Sequence, residues 1–421
     1  MKNVLVFPCG SEIAFEIYRS IKYSKHFRLI GANSVPDHGR FVYENYISDV
    51  PFVSDEQFIP AMKRIVKDYE IDYIYPSMDS AIAVLKENEE ELGCYVIASP
   101  KETTQICLSK KKTYDYFRNI VRIPKVYRET DNFVYPIFCK PDTGYGSRGA
   151  VIIKGHESLE TYLAEYSDAI IMEYLPGDEY TVDCFTNKDG ILLYCGARRR
   201  NRISKGISVN TLTIKENAGF LKIAERINSA LRFRGAWFVQ LKQNAEGELV
   251  LLEIASRLAG SSALYRARGI NFAQLSLFDA MGSKVSIIDN GYDVELDRAF
   301  DNCVKMDLDY DEVFIDYDDT IILDKRKYNL EAIKLLYFCK NEKIKLTLLT
   351  RHQGNLERDL EQFQLEQMFD RVVYVGKTET KASFIDNENS IFIDDSFEER
   401  KSVREQKHIP VFSVDMIQYL I

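Results

Sequence analysis

The feature that most constrains the fold is a rhythm of short apolar runs and helical stretches, which occurs at both ends of the chain. Residues 1–102 contain, in order, NVLVF, FEIYRSIKY, FRLIGAN, FIPAMKRIVKDY, DYIYPS, AIAVLKENEEEL and CYVIAS. Residues 309–421 contain VFID, LEAIKLLYFCKNE, LTLLT, NLERDLEQF, VVYV, KASFI, SIFIDDS and VFSVD. Alternation of strand and helix predicts a parallel sheet covered by helices. We therefore predict one α/β domain at each end of the chain.

The middle of the chain, residues 103–308, has a different pattern. Hairpin-like strands surround glycine-rich turns, and helices are predicted near 108–119 and 217–231. This pattern favours an α+β domain. A chain of 421 residues is also too long for one ordinary hydrophobic core. The sequence therefore predicts a multidomain protein with domains at 1–102, 103–308 and 309–421.

Composition and charge restrict the class of protein. With 46% hydrophobic and 28% charged residues, the chain is typical of soluble globular proteins. No apolar run approaches the roughly 20 residues that cross a bilayer, and MKNVLVFPCG leads into a strand rather than a cleavable signal. We expect a cytoplasmic protein without a membrane partner. The net charge of −9 argues against a nucleic-acid partner, which requires a basic surface.

Cysteine and histidine usage points away from disulfides and zinc. The eight cysteines form no CxxC pair, and several lie in apolar strand-like runs, so we expect reduced, buried thiols. The five histidines lie far apart without HExxH spacing. A zinc site is therefore not expected.

Acidic side chains collect at strand ends in the C-terminal region. Asp316 and Asp318 follow the strand VFI, Thr350 ends LTLL, Lys381 opens KASFI, and Asp394 and Asp395 follow IFI. Carboxyl ends of parallel strands meet at one edge of a sheet, so these groups are predicted to converge. Crowded carboxylates stay ionised together when a divalent cation offsets their repulsion, and Mg²⁺ or Mn²⁺ suits oxygen ligands. The set can serve phosphate-ester hydrolysis, whereas the alternative is acidic turns on a structural sheet.

The order of these residues resembles the haloacid dehalogenase (HAD) superfamily, whose phosphatases carry DxDxT, a Thr or Ser, a Lys and an acidic pair. The first motif here reads Asp316-Tyr317-Asp318-Asp319-Thr320. The resemblance implies a capless HAD-like domain in which Asp316 forms an aspartyl phosphate and Asp318 is the acid and base. It further implies that Thr350 and Lys381 hold phosphate, with Lys377 as a weaker rival. Asp316, Asp318, Asp394 and Asp395 would hold the metal.

A glycine loop lies in the middle domain. Tyr135–Ile153 contains GxGxxG as Gly144, Gly146 and Gly149. A dinucleotide-binding fold needs a helix after these glycines, whereas AVIIK predicts a strand, and no HRD or DFG follows as in a protein kinase. A flexible hairpin remains, whose N–H groups can close over phosphates beside the fixed charge of Lys140.

Three downstream segments resemble the ATP-grasp superfamily, and the large subunit of carbamoyl phosphate synthetase in particular. They are IMEYLPGDEYTVD at 171–183, GAWFVQ at 235–240 and LLEIASRLAGSS at 251–262. The resemblance implies a Rossmann-like pre-ATP-grasp domain followed by two lobes that bind ATP between them. By this resemblance, the phosphates contact Lys110, Lys140 and the loop residues Gly144, Gly146, Ser147 and Gly149. Adenine and ribose contact Glu173, Leu175 and Glu179. Gln240 and Glu253 bind Mg²⁺, and Arg257 contacts the γ-phosphate or the activated carboxylate.

Two features qualify this resemblance. The family usually has EINPR or EVNAR where this chain has Glu253-Ile-Ala-Ser-Arg257, so Ala255 replaces an asparagine metal ligand. The cluster Arg198–Arg202 with Lys205 is either a solvated basic face or a site for an anionic substrate or the transferring phosphoryl group.

Together the resemblances imply a bifunctional enzyme. An ATP-dependent carboxylate–amine (or thiol) ligase, acting through an acyl phosphate, is joined to a Mg²⁺-dependent phosphatase acting on a phosphate ester of the same pathway. The alternative is an ATP-binding or kinase-like module that has lost ligase chemistry, attached to an active phosphatase, and a third possibility is a scaffold with two decayed sites. The carboxylate and amine are small molecules of unknown identity. Tyr75-Pro-Ser-Met-Asp79 is the one pointer to their pocket, and it reads equally well as a simple turn.

Overall fold

The computed structural model describes residues 1–22, 24, 26–144, 146, 148–204, 206–289, 291, 293–298, 308–412 and 414–421. The chain divides into two compact units, Met1–Asp301 and Asn302–Ile421. The mixed α/β and α+β architecture predicted from the sequence is present. The division of the first unit into separate domains at 1–102 and 103–308 stays a prediction.

The first unit contains strands β1–β15 and helices α1–α11. The strands are Lys2–Phe7, Phe27–Ala32, Tyr46–Ile47, Tyr73–Pro76, Tyr95–Val96, Val126–Tyr127, Ile137–Lys140, Val151–Ile153, Ile170–Glu173, Glu179–Thr186, Leu192–Ser204, Ile207–Thr213, Gly235–Gln243, Leu249–Ala255 and Glu295–Asp297. The helices are Glu12–Ile21, Gly39–Val42, Phe58–Asp68, Asp79–Glu87, Glu89–Leu92, Lys101–Leu108, Lys110–Phe117, His156–Glu165, Ala218–Ala230, Ala263–Ala267 and Phe272–Ala280.

The N-terminal sheet is parallel and has the order β3-β2-β1-β4-β5. Residues 4–7 of the central strand β1 are all buried, because helices cover both faces. The strand order reverses between β1 and β4, and open α/β sheets bind ligands at such a point. Ser11 caps α1 by accepting a hydrogen bond from the Ala14 amide, so the loop after β1 ends at a fixed helix start. The loops after β1 and β4 are thereby placed side by side.

Two antiparallel sheets form the rest of the first unit. A four-stranded sheet has the order β6-β9-β7-β8, and a six-stranded sheet has the order β14-β13-β10-β11-β12-β15. Gly144, Gly146 and Gly149 all have positive φ angles between β7 and β8, where the hairpin turns. The segment AVIIK forms strand β8, as predicted, so no helix opens after the glycines. The segments that carry the predicted nucleotide contacts thus lie on antiparallel strands.

The second unit contains strands β16–β22 and helices α12–α14. The strands are Glu312–Ile315, Ile322–Leu323, Lys327–Tyr328, Lys345–Thr350, Arg371–Tyr374, Ser390–Ile393 and Val411–Phe412, and the helices are Leu330–Glu342, Leu356–Gln362 and Phe397–Lys407. A parallel sheet has the order β20-β19-β16-β21-β22. The short antiparallel hairpin β17-β18 follows the first acidic motif. The three central strands of the parallel sheet, β19, β16 and β21, carry the predicted motifs at their carboxyl ends.

The second unit departs from the sequence pattern in one place. Lys381 opens a 3₁₀ turn, Lys381–Phe384, rather than the predicted α-helix. The segment is short, and the N–H groups of Ser383 and Ile385 bond to Thr380 and Ala382. The lysine is nevertheless placed at the first residue of its element, as predicted.

Two further predictions concern cysteines and membranes. All seven cysteines in the described part of the chain are free, and Cys303 lies outside it. Among the described residues, no helix has both the length and the apolar character needed to cross a bilayer.

Candidate functional sites

A cavity of about 730 Å³ lies within the first unit. Strands of both antiparallel sheets contribute to its wall, and so do the loops after β1 and β4 of the N-terminal sheet. Ten of the residues predicted from the sequence line it: Lys110, Lys140, Gly144, Gly146, Glu173, Leu175, Glu179, Gln240, Glu253 and Arg257. Ser147 lies outside the described residues. Residues that are up to 147 positions apart in the sequence are thereby brought to one space.

Lys140 ends strand β7 and is buried at the cavity. Its Nζ donates to the Tyr114 hydroxyl at 2.8 Å and to the Leu252 carbonyl at 3.0 Å. Burial lowers the pKa of Lys140 to about 8, although the Glu253 carboxylate acts in the opposite direction. The lysine is therefore held in one position, and an anion that enters the cavity would raise its pKa.

The glycine loop is anchored at its base by Asp142. The Asp142 carboxylate accepts hydrogen bonds from the Ser109 hydroxyl and from the Lys111 amide at the start of α7. Its carbonyl accepts from Lys110 Nζ at 3.1 Å. The start of the loop is thus tied to the helix that carries Lys110.

Gly149 has a packing role rather than a place on the cavity wall. A Cβ atom there would lie 2.8 Å from Pro141 Cγ and 2.9 Å from Tyr166 Cε1, and its φ angle is +71°. Both the left-handed backbone and the close contacts favour glycine. The third glycine of the motif shapes the hairpin, while Gly144 and Gly146 face the cavity.

Gln240 and Glu253 are direct neighbours across strands β13 and β14. Arg200 lies beside them, and its Nη1 donates to Gln240 Oε1 at 3.2 Å and also contacts Glu179 Oε1. Two oxygen-bearing side chains on adjacent strands offer ligands for a cation. Burial lowers the pKa of Arg200, and the neighbouring Glu179 opposes this effect.

Glu173 is the last residue of strand β9, and Leu175 lies two residues after it. Glu173 Oε1 accepts from the Lys125 amide at 2.8 Å, which fixes the segment between β9 and β10 against the chain before β6. Leu175 is buried in the core between the sheets. This segment supplies one apolar and one carboxylate group to the cavity wall.

Arg257 is fixed by a carboxylate at the start of helix α4, which follows strand β4 of the N-terminal sheet. Its Nε and Nη2 donate to the two oxygens of Asp79 at 2.9 and 2.8 Å, and Nη1 donates to the Leu258 carbonyl at 3.2 Å. Burial opposes the positive charge, but Asp79 outweighs it and raises the pKa of Arg257. The guanidinium also lies 5.3 Å from the centre of the Phe238 ring. Arg257 therefore remains charged within the cavity wall.

Ala255, which stands where the ATP-grasp resemblance implies a metal-binding asparagine, lies in an apolar environment. Ala255 pairs with Phe238 across β14 and β13 and packs with Phe238 and Ala259 in a small buried apolar cluster. An asparagine at this position would bring an amide into that cluster. The aromatic ring and the alanine are therefore matched to each other.

The loops of the N-terminal sheet supply residues that the sequence analysis did not identify. Ser11 and Ser77 hydroxyls lie 2.8 Å apart, and Arg298 Nη2 donates to Glu12 Oε2 at 2.6 Å. The one available signal was the segment Tyr75–Asp79, of which Ser77, Met78 and Asp79 line the cavity. Arg298 follows the short edge strand β15, which gave no motif.

Strand alternation divides the basic cluster. Arg198 and Arg200 line the cavity, where Arg198 pairs with Asp183 at 2.7 Å and is fully buried. Arg199 and Arg202 are exposed and pair with Asp178 and Asp297. Successive side chains of a strand point to opposite faces, which separates Arg199 from Arg198 and Arg200, whereas Arg202 follows an irregularity in the strand register. Arg199 and Arg202 thus belong to a solvated face, and a role of Arg198 and Arg200 in binding an anionic substrate stays a prediction. Lys205 lies outside the described residues.

The second unit brings three acidic side chains together at the carboxyl edge of its sheet. Oxygens of Asp316, Asp394 and Asp395 all lie within 4.8 Å of one another. Lys381 Nζ lies between the two buried ones, 2.7 Å from Asp316 Oδ1 and 2.6 Å from Asp394 Oδ2. Lys377, the alternative lysine, is exposed. Three carboxylate oxygens at this spacing could hold a divalent cation, which prefers oxygen ligands.

Burial and charge shape the titration of this cluster. Burial raises the pKa of Asp394 to about 7 in spite of Lys381, and burial likewise raises the pKa of Asp316. Burial opposes the charge of Lys381, but the two carboxylates outweigh it and raise its pKa. A hydrogen bond from Thr350 favours the ionised form of Asp316. The cluster is thus a tightly coupled set that a cation would stabilise.

The threonines and Asp318 occupy distinct positions around this cluster. Thr320 Oγ1 accepts from the Asp395 amide at 3.1 Å, which joins the first motif to the last. The Asp318 carboxylate is absent from the three-carboxylate group defined among the described residues. It contacts His352 instead, with Nδ1 2.9 Å from Oδ2. The Asp318 side chain therefore contacts His352 rather than the three carboxylates, and its predicted role as a metal ligand stays a prediction.

The first unit is similar to proteins of known family. A family model described as "ATP-grasp in the biosynthetic pathway with Ter operon" matches residues 165–297. A D-alanine–D-alanine ligase of Thermotoga petrophila is 31% identical over 108 residues, which span 24% of this chain and only 36% of that ligase.

Solved structures share the fold at low sequence identity. The biotin carboxylase domain of the Hydrogenobacter thermophilus 2-oxoglutarate carboxylase, in complex with MgADP, ADP and bicarbonate, is 14% identical with a TM-score of 0.59. The match covers 69% of this chain and 72% of that one. The L-amino acid ligase of Bacillus licheniformis is 19% identical with a TM-score of 0.56, covering 67% and 74% of the two chains. The chain therefore shares the fold of these structures, and residues 165–297 match an ATP-grasp family model.

Proposed function

We propose that the first unit is an ATP-dependent ligase that joins a carboxylate to an amine or thiol through an acyl phosphate. The observation that carries this proposal is the gathering of Lys140, Gln240, Glu253 and Arg257 around one cavity. The similar D-alanine–D-alanine ligase and L-amino acid ligase act on amino acids, by their names. Amino acids are therefore the first substrates to test.

The residues of the cavity have separate roles in this proposal. Lys110, Lys140 and the N–H groups of the glycine loop bind the phosphates of ATP, while Glu173, Leu175 and Glu179 contact adenine and ribose. Gln240 and Glu253 are suited to hold Mg²⁺, because they are adjacent oxygen donors on facing strand positions. The metal ion, when bound, neutralises the charge that develops on the phosphates.

The chemistry overcomes the low reactivity of a carboxylate. A substrate carboxylate oxygen attacks the γ-phosphorus, the bond to the β-phosphate oxygen breaks, and ADP leaves. The amine then attacks the acyl carbon, loses a proton, and expels inorganic phosphate. Arg257 and Lys140 are fixed cations that stabilise the charge in both steps without moving.

The test is substrate-dependent release of ADP. The protein is incubated with ATP, Mg²⁺ and pairs of amino acids, and condensed products are sought by mass spectrometry. Lys140→Met and Glu253→Gln are expected to abolish the product, whereas Lys222→Met, on the exposed face of α9, should retain it. ATP turnover that never depends on an added acid or amine would contradict the ligase proposal.

One observation favours a second candidate for the first unit. Ala255 packs against Phe238 in an apolar cluster where the family has a metal-binding asparagine. An ATP-binding or kinase-like module with lost ligase chemistry is the corresponding alternative. It predicts nucleotide binding, or transfer of phosphate to an acceptor, without a condensed product.

We propose that the second unit is a Mg²⁺-dependent phosphatase of the HAD type. The supporting observation is the cluster of Asp316, Asp394 and Asp395 around Lys381. Asp316 attacks phosphorus, the bond to the leaving oxygen breaks, and Asp318 gives that oxygen a proton. Water then attacks the aspartyl phosphate while Asp318 takes its proton, and inorganic phosphate leaves. Lys381 and Thr350 hold the phosphate oxygens.

The phosphatase test uses a panel of organic phosphates with and without Mg²⁺. Asp316→Asn is expected to remove hydrolysis and to leave ATP binding by the first unit intact, and Asp386→Asn, an exposed site, is the matched control. We further propose that the phosphatase acts on a phosphorylated substrate or product of the ligase. Hydrolysis that persists in Asp316→Asn would exclude the mechanism.

A further inference from the structure

Asp318 is oriented by a buried histidine that the sequence analysis did not single out. His352 Nδ1 lies 2.9 and 3.1 Å from the two carboxylate oxygens of Asp318. The histidine side chain is 4% exposed, whereas the Asp318 side chain is 34% exposed. A partly exposed carboxylate is thus held by a buried partner.

Four contacts fix His352, two through its ring and two through its backbone. The Tyr317 ring lies edge-on at 5.3 Å, the His352 amide donates to Thr350 Oγ1 at 3.2 Å, and the Tyr374 hydroxyl donates to the His352 carbonyl. A Cβ at Gly354 would lie 2.7 Å from His352 Nε2, so the ring packs directly on that glycine. The imidazole is thus packed between the Tyr317 ring and Gly354.

The other face of the ring meets a second carboxylate. His352 Nε2 lies 3.0 Å from Asp359 Oδ2, in a charge contact that is not aligned as a hydrogen bond. The two nitrogens therefore face different acids, and rotation of the ring would forfeit one of them. A small cavity of about 50 Å³ adjoins this chain of groups, beside Ile322, Lys325 and Phe363.

We propose that His352, supported by Asp359, is a positioning residue that holds Asp318 in the orientation needed to protonate the leaving oxygen. The inference rests on the proposed phosphatase function. A general acid contributes only when its oxygen reaches the leaving group, and a displacement of about 1 Å costs about a hundredfold in rate. His352 is buried behind Asp318 and acts through it.

The experiment compares two kinds of substrate. A p-nitrophenyl phosphate leaving group departs without a proton, whereas an alkyl phosphate such as glycerol phosphate needs one. In single-turnover experiments, which separate formation of the aspartyl phosphate from its later hydrolysis, His352→Leu is expected to lower the rate of leaving-group release from the alkyl ester by about ten- to a hundredfold and from the aryl ester by less than about threefold. His352→Asn, whose amide lies near the position of Nδ1, should restore most of the lost rate, and His352→Gln should not.

The outcomes separate the two proposals. An equal loss on both esters, or no loss on either, overturns the role of His352 while the phosphatase function stands. Absence of any Asp316-dependent hydrolysis in the unmodified protein overturns the phosphatase function and this inference with it. If His352→Leu fails to fold, Gly354→Ala provides the second variant, because its new methyl group displaces the ring and should give the same selective loss on the alkyl ester.

Discussion

Arg257 holds both oxygens of Asp79 in a two-pronged contact of 2.9 and 2.8 Å, although the two residues are 178 positions apart. Arg257 follows the last long strand of the six-stranded sheet, and Asp79 opens helix α4 behind the N-terminal sheet. The pair joins the cavity wall formed by the antiparallel strands to the loops that lie at the strand-order reversal. Under the proposed function, its loss should affect use of the carboxylate substrate more than binding of nucleotide.

Asp79→Asn is expected to impair ligation more than nucleotide binding. The substitution removes the charge partner of a largely buried guanidinium, and an uncompensated buried charge is costly. We expect kcat/KM for the carboxylate substrate to fall by about ten- to a hundredfold, with the Kd for ADP within about twofold of the original. Steady-state kinetics and calorimetry measure the two quantities. Glu91→Gln, in an exposed pair with Lys63, is the control, and a parallel loss of ADP affinity would refute the assignment.

Nucleotide affinity should weaken as the pH rises above about 8. Burial lowers the pKa of Lys140 to about 8 in the free protein, and bound phosphates favour the charged form. Binding above this pH therefore requires uptake of a proton, whereas at lower pH the lysine is already charged. Calorimetry of ADP binding between pH 7 and 9.5 tests this. Lys140→Arg stays charged over this range, so its affinity for ADP should not depend on pH. If the affinity of this variant falls with pH as in the original protein, another group is responsible for the pH dependence.

Lys381→Met should make the second unit depend on divalent cations for stability. Lys381 is the counter-ion of the buried Asp316 and Asp394, and removing one partner from a buried ionic cluster costs about 3–5 kcal/mol. Mg²⁺ offers the same compensation through Asp316, Asp394 and Asp395. Thermal unfolding with EDTA and with Mg²⁺ measures the difference. Lys334→Met, in an exposed pair, is the control, and an equal response of both variants to Mg²⁺ would rule out the idea.

Ala255→Asn is expected to destabilise the first unit rather than to restore a family metal site. The amide would enter the apolar cluster of Phe238 and Ala259, so the free energy of unfolding should fall by about 1–3 kcal/mol. Denaturant titration measures this change. If the variant is as stable as the original and needs less Mg²⁺ for turnover, the cluster has space for a ligand after all.

The sequence predicted those features that local periodicity or a compact motif records. The strand after Gly149 and the convergence of Asp316, Asp394 and Lys381 follow from such patterns. Strand alternation likewise explains why Arg198 and Arg200 face the cavity, although the sequence left their direction open. These features depend on neighbours in the chain or on the shared edge of a parallel sheet.

Other features depend on tertiary contacts that leave no local pattern. His352 is two residues from a predicted threonine, but its contact with Asp318 joins residues 34 positions apart. The contact of Arg298 with Glu12 joins residues 286 apart. Gly149 belongs to the glycine motif, yet its packing against Tyr166 separates it from the cavity wall. Such pairings become visible only when distant elements are packed together.

The placement of loops 10–13 and 77–79 on the cavity wall has a consequence for how this scaffold can diversify. Under the proposed function, those short connections select the acid or amine, while Lys140 and Glu253 on the antiparallel strands handle the nucleotide. Exchange of a few loop residues can then change the product formed without rebuilding the energy-coupling machinery. Under the proposed function, a new acid or amine substrate therefore requires only a few substitutions within these two loops.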